Sequence, residues 1–137
     1  MNDAGSVQGG CLCGKVRYVV ASTLVSADHC HCTMCQRQHG AAFSTYADFA
    51  PGSFDWLCGE SLVKTYEVQS GGGWCFCSNC GSTLAGADKG LITCITMATL
   101  DEDPGFKPEC HIYVSSKANW YSIYDNLPQY SERRPLD

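Results

Sequence analysis

Seven of the eleven cysteines fall into three short clusters: Cys11-Leu12-Cys13, Cys30-His31-Cys32-Thr33-Met34-Cys35 and Cys77-Ser78-Asn79-Cys80. Thiolates at two- and three-residue spacing are the pattern of tetrahedral zinc, whose Zn–S bonds of about 2.3 Å set sulfurs roughly 3.8 Å apart. Cys77 and Cys80, followed by Gly81, read as a zinc knuckle in which glycine takes a backbone conformation closed to other residues. Cys11 and Cys13 form a narrower version of the same device. Together these four make a complete structural site, with a redox Cys-x-x-Cys pair as the alternative. Cys30, Cys32 and Cys35 supply three corners of a second tetrahedron. Its fourth corner is either open to water or substrate, where metal chemistry takes place, or closed by Cys75, His29, His31 or Cys58. The spacing also allows Cys77 and Cys80 to join the middle cluster instead.

The elements that must hold these sulfurs are mostly strands. Segments 15–20, 42–49, 62–68, 73–77, 91–98 and 110–114 are rich in β-branched and aromatic residues, and turn residues separate them. In the first, Val16, Tyr18 and Val20 share one face while Lys15 and Arg17 point outward. Helix is predicted only over 33–39 and 116–121. The class is therefore mainly β, with small sheets around the metal sites. The 137 residues suit a single domain. Residues 1–8 read as a flexible leader, 9–125 as the zinc domain and 126–137 as a tail whose end, from about Ser131, is loosely ordered.

Composition narrows the partners. Net charge is −5 with no polybasic run, which argues against nucleic acid, and no stretch approaches a membrane span. An odd number of clustered cysteines, behind a start without an apolar leader, points to a reducing compartment, the cytoplasm. Of the remaining cysteines, Cys58, Cys94 and Cys110 read as small buried hydrophobes, and Cys75 as the best spare ligand.

Read in order, Gly10-Cys11-Leu12-Cys13-Gly14-Lys15-Val16, Cys30 to Arg37, Gly40-Ala41-Ala42-Phe43, Phe76-Cys77-Ser78-Asn79-Cys80-Gly81-Ser82 and His111 to Lys117 resemble the glutathione-dependent formaldehyde-activating enzymes, a family that includes the centromere protein V branch. The resemblance spans about residues 9–125. It implies an Mss4-like fold built from several small antiparallel sheets. It also implies structural zinc on Cys11, Cys13, Cys77 and Cys80, and catalytic zinc on Cys30, Cys32 and Cys35. The reaction it implies is reversible addition of glutathione to formaldehyde, a carbon–sulfur lyase activity.

That chemistry needs a thiolate, a carbonyl and a route for a proton. Three thiolates make zinc electron-rich and a weak Lewis acid, which favours delivery of a bound thiolate over carbonyl activation. His31, flanked by Cys30 and Cys32, is the candidate acid/base or supporting histidine; His39 reads as surface, and His111 as pocket-lining or structural. Arg37 is the best-placed cation for a substrate carboxylate, ahead of Lys117. Trp74, Trp120, Tyr121 and Tyr124 are core residues by default and pocket walls in the alternative. The rival to an enzyme is a non-catalytic Mss4-like zinc module that binds a protein. A chromatin role is disfavoured by the acidic balance.

Overall fold

The computed structural model describes residues 5–135. Among the described residues there are ten strands: β1 (Val7–Gly10), β2 (Arg17–Val20), β3 (Leu24–Cys30), β4 (Ser44–Phe49), β5 (Phe54–Cys58), β6 (Val63–Glu67), β7 (Gly72–Cys77), β8 (Thr83–Asp88), β9 (Leu91–Thr96) and β10 (Cys110–Ile112). One α-helix, α1 (Thr33–His39), follows β3. The mainly β, Mss4-like class read from the sequence is the class observed.

The strands gather into two sheets. One has the order β1-β2-β5; the other runs β10-β3-β4-β9-β8-β7-β6. Every pairing is antiparallel except that of β10 with β3. Period-two alternation in β2 buries Tyr18 and Val20 completely, and Val16, just before the strand, is buried with them. They meet Leu24, Ala27, Ala47, Phe49, Leu84 and Ile95 of the larger sheet. Tyr18 stacks on Phe54 at 5.4 Å, and its hydroxyl is 2.7 Å from Thr99 Oγ1. Burial pushes this phenol up to about 12. The tyrosine is thus a neutral core residue with its one polar atom satisfied.

Several expectations need correction. No helix forms over 116–121; a single 3-10 turn occupies Val114–Ser116. The Lys117 ammonium instead reaches the carbonyls of Ala118 and Tyr121 across an open loop. Val7 and Gln8, read as a loose leader, pair with Val20 and Val19 in β1. Ser131 and Glu132, read as loosely ordered, accept hydrogen bonds from Ser115 and Tyr113. Residues 1–4 and 136–137 lie outside the described residues. Strands β1, β3, β5 and β8 fall outside the segments read as strands. Small and polar residues mask two of them: Ser26 and Asp28 in β3, Ala85-Gly86-Ala87 in β8.

The smaller sheet closes on a single glycine. Gly59 follows β5 at φ 79°, and a Cβ there would lie 2.0 Å from the Lys15 carbonyl oxygen. Left-handed backbone and a backbone clash act together, so Gly59→Ala should cost on the order of 2–3 kcal/mol. Urea unfolding measures this; an unshifted midpoint would mean that the turn has a second backbone path.

Candidate metal centres

The first centre lies where the two sheets meet. Cys11 and Cys13 occupy the turn between β1 and β2, Cys77 ends β7, and Cys80 lies in the turn before β8. Their four sulfurs lie within 4.8 Å of one another. Cys11 Sγ is 3.5 Å from Cys13 Sγ, and Cys13 Sγ is 3.9 Å from Cys77 Sγ. These separations bracket the value a tetrahedral zinc–thiolate site requires. The swapped pairing, with Cys77 and Cys80 beside the middle cluster, is not what the fold assembles.

Local geometry explains the turn. Gly81 sits at φ 84°, and its N–H donates to the Cys77 carbonyl at 2.7 Å. The Val16 N–H donates to Cys11 Sγ at 3.3 Å, and the Leu12 N–H to Ser82 Oγ at 2.9 Å. The Ser82 hydroxyl lies 3.3 Å from Cys80 Sγ and holds that thiol down at about 5. Asn79 lowers Cys13, while burial raises Cys77. Hydrogen bonds to sulfur favour the thiolate, the form that binds metal.

The second centre is a separate group of three. Cys30 ends β3, Cys32 caps α1 and Cys35 lies in its first turn. Cys35 donates its N–H to Cys32 Sγ at 3.2 Å, and Cys35 Sγ is 3.4 Å from Cys30 Sγ. Among the described residues no fourth cysteine, histidine or carboxylate joins the group. Cys75, the expected spare ligand, packs with Ala85 and Ala87, its sulfur 3.3 Å from Thr65 Oγ1. His29 is 2.7 Å from Thr45 Oγ1. Cys58, expected to be buried, is exposed beside the Lys15 carbonyl. Hydrogen bonds from Cys30 and Cys35 hold Cys32 far below the usual thiol range, and the same bonds push Cys30 up. Both donor sets suit a thiophilic ion.

Beside the three sulfurs lies Tyr46, which the sequence did not single out. Tyr46 directs its hydroxyl toward Cys35 Sγ at 3.5 Å and accepts from Trp74 Nε1 at 2.8 Å. His39 Nε2 lies 2.8 Å from the same oxygen, so His39 is half-buried and partnered rather than a surface residue. Burial, followed by the neighbouring Cys35, pushes the Tyr46 phenol up. The signal for Tyr46 was its place two residues after Ser44, which pairs with Cys30. It became readable only once β3 was known to be a strand.

His31 is fully buried. Its Nε2 is 2.8 Å from His111 Nδ1, and His111 Nε2 is 2.9 Å from an Asp125 carboxylate oxygen. A carboxylate accepts, so His111 donates from Nε2 to Asp125. His31 Nδ1 is left without a partner. Burial lowers His31 to about 4, which keeps the imidazole neutral. Gln36 donates to the carbonyls of His31 and Ser116 at 2.7 and 2.9 Å, tying α1 to the loop after β10. Arg37 is exposed on α1. With Thr33, Gln36, Gly40, Ala41 and Trp120 it lines a surface hollow of about 330 Å³. Trp120 is 77% exposed there, so it is no core residue. A larger hollow of about 560 Å³ beside Val7, Leu24 and Asp101 contains none of the cysteines. The chemistry points to the sulfur clusters, not to the larger volume.

Fold and sites define a β protein with two thiolate-lined centres, one of four sulfurs and one of three. A family model described as "Glutathione-dependent formaldehyde-activating enzyme" matches residues 6–116, and the chain belongs to that family. A crystal structure of a Rhodobacter sphaeroides protein is similar at a TM-score of 0.55 and 23% identity. The match covers 74% of this chain and 91% of that one, and it speaks for the fold alone. Comparison with curated proteins gives no significant match. No helix among the described residues is long and apolar enough to cross a membrane.

A cation at the four-sulfur centre would cross-link the two sheets. Cys77→Ser should therefore lose one metal equivalent and lower Tm by on the order of 10 °C. Elemental analysis and a thermal melt check both; an unchanged metal count would detach these sulfurs from metal binding.

Proposed function

We propose that this protein is a two-zinc carbon–sulfur lyase that reversibly adds a thiol, glutathione, to formaldehyde or another small carbonyl compound, working in the cytoplasm. Cys11, Cys13, Cys77 and Cys80 would hold a structural zinc; Cys30, Cys32 and Cys35 would hold a reactive one. The observation that carries this reading is the unequal supply of sulfur: four thiols converge at one centre and three at the other. Zinc bound by three thiolates supplies a position at which an incoming thiol ionises at neutral pH.

The protein's own groups do the rest. The thiolate sulfur attacks the carbonyl carbon, the C=O π pair moves to oxygen, and the oxygen takes up a proton. His31 is a positioning residue in this scheme. Its neutral ring, anchored through His111 to Asp125, sets the path of the peptide that carries Cys30 and Cys32. Arg37, over the hollow beside α1, receives a substrate carboxylate. Eleven unpaired cysteines support a reducing compartment.

Two measurements test the proposal. Cys35→Ser should lose the second metal equivalent and adduct formation while keeping its fold, and glutathione added to the cobalt-substituted wild type should shift the cobalt–thiolate absorption. A silent cobalt spectrum with full activity in Cys35→Ser would instead favour a closed, non-catalytic zinc module. Arg37→Ala should raise KM for glutathione roughly tenfold with little change in kcat, the signature of lost uniform binding. An unchanged KM would remove Arg37 from the site.

A further inference from the structure

We propose that the Tyr46 hydroxyl is a catalytic hydrogen-bond donor to the oxygen of the thiol–carbonyl adduct. The inference rests on the reading of the three-sulfur centre above and assigns the group that holds its substrate's oxygen. Ser44 pairs with Cys30, so β4 places Ser44 and Tyr46 on the sheet face that carries Cys30. The phenol packs against the sulfur cluster together with Trp74 and Val68.

The hydrogen-bond inventory of its oxygen decides the argument. A tyrosine oxygen has one O–H and two lone pairs, while an indole N–H can only donate. Trp74 Nε1, 2.8 Å away, therefore takes one lone pair and pins the oxygen. Trp74 is itself buried and packed on Cys30 and Cys35. With His39 assigned as the Nε2–H tautomer, its Nε2, also at 2.8 Å, fills the second lone pair. The O–H is then left to point at the cluster, where Cys35 Sγ lies 3.5 Å away. A sulfur at that distance is a weak acceptor, readily replaced by a substrate oxygen.

A second observation points the same way. Ser44 Oγ and Thr96 Oγ1 are buried with no hydrogen-bond partner. Thr96 pairs directly with Tyr46, so both hydroxyls share its face of the sheet. The Ser44 hydroxyl also acts on both the Cys35 thiol and the Tyr46 phenol, so it stands between them, where an oxygen-bearing ligand would meet it. In the addition, the S–C bond forms, the C=O π pair passes to oxygen, and that oxygen gains the proton the thiol gave up. Tyr46 keeps its own proton and stabilises the developing negative charge. The reverse step breaks the same S–C bond.

Calorimetry on the metal-loaded protein can test this with two glutathione derivatives of similar shape. S-formylglutathione carries an oxygen one carbon from sulfur; S-ethylglutathione does not. Wild type should prefer the formyl compound about tenfold, and Tyr46→Phe should lose that preference. In the same variant kcat for adduct formation should fall by roughly 10²-fold, with metal content unchanged. His39→Gln, whose amide can still donate to the Tyr46 oxygen, should keep most of the preference. A Tyr46→Phe protein that retains both preference and kcat overturns the assignment. So does one that loses metal without losing the preference, since the hydroxyl would then serve Cys35 alone. If wild type binds neither compound and forms no adduct, the lyase reading itself fails, and the role of Tyr46 with it.

Discussion

The convergence of seven sulfurs from distant parts of the chain is the constraint around which this fold is organised. They are drawn into two groups, each compact enough for its members to share one ion. A shared cation would turn each group into a cross-link. At the four-sulfur centre that link joins the turn after β1 to the end of β7, and so one sheet to the other. The apolar core between the sheets is well filled by Tyr18, Leu84 and Ile95, so metal here would add to a core rather than replace one.

The two centres differ in their surroundings as well as in number. Cys13 is exposed and Cys80 half-exposed, in turns braced by Ser82 and Asn79. Cys30 and Cys35 are buried against Trp74, with Tyr46, His39 and Ser44 alongside. A closed cross-link needs only sulfurs and N–H donors. Beside the three-sulfur cluster a phenol, an imidazole and an indole N–H are joined by hydrogen bonds.

The sulfurs were legible because ligand spacing is a short-range property of the chain, and so were α1 and the alternation of β2. The grouping of Cys11 and Cys13 with Cys77 and Cys80 was open to exchange until the fold brought residues some 70 positions apart together. Tyr46, His39 and Trp74 could not be read as one constellation. Their proximity depends on β4 lying beside β3, and β3 carries Ser26, Asp28 and His29, a weak strand pattern. Its partners on both sides override that local preference. The missing helix over 116–121 is the same effect reversed: Lys117 finds its carbonyl partners in a loop.

The segment beyond the family match has a structural part in the second centre. Residues 117–135 lie outside the matched range, yet they supply Asp125, which anchors His111 and through it His31. Further along, Pro128 and Tyr130 exchange hydrogen bonds with His111, and Glu132 accepts from the Tyr113 N–H. Tyr113 stands at φ 56°, an uncommon conformation for a bulky residue, and it packs against the three-sulfur cluster. Strain of that kind persists only where surrounding contacts over-determine it. The tail supplies those contacts from one side and the parallel β10–β3 pairing from the other. The strand that ends in Cys30 is thereby held at its outer edge by β10 and, through β10, by the C-terminal segment. The position of the three thiols is therefore a property of nearly the whole chain, not of the six-residue motif that announces them.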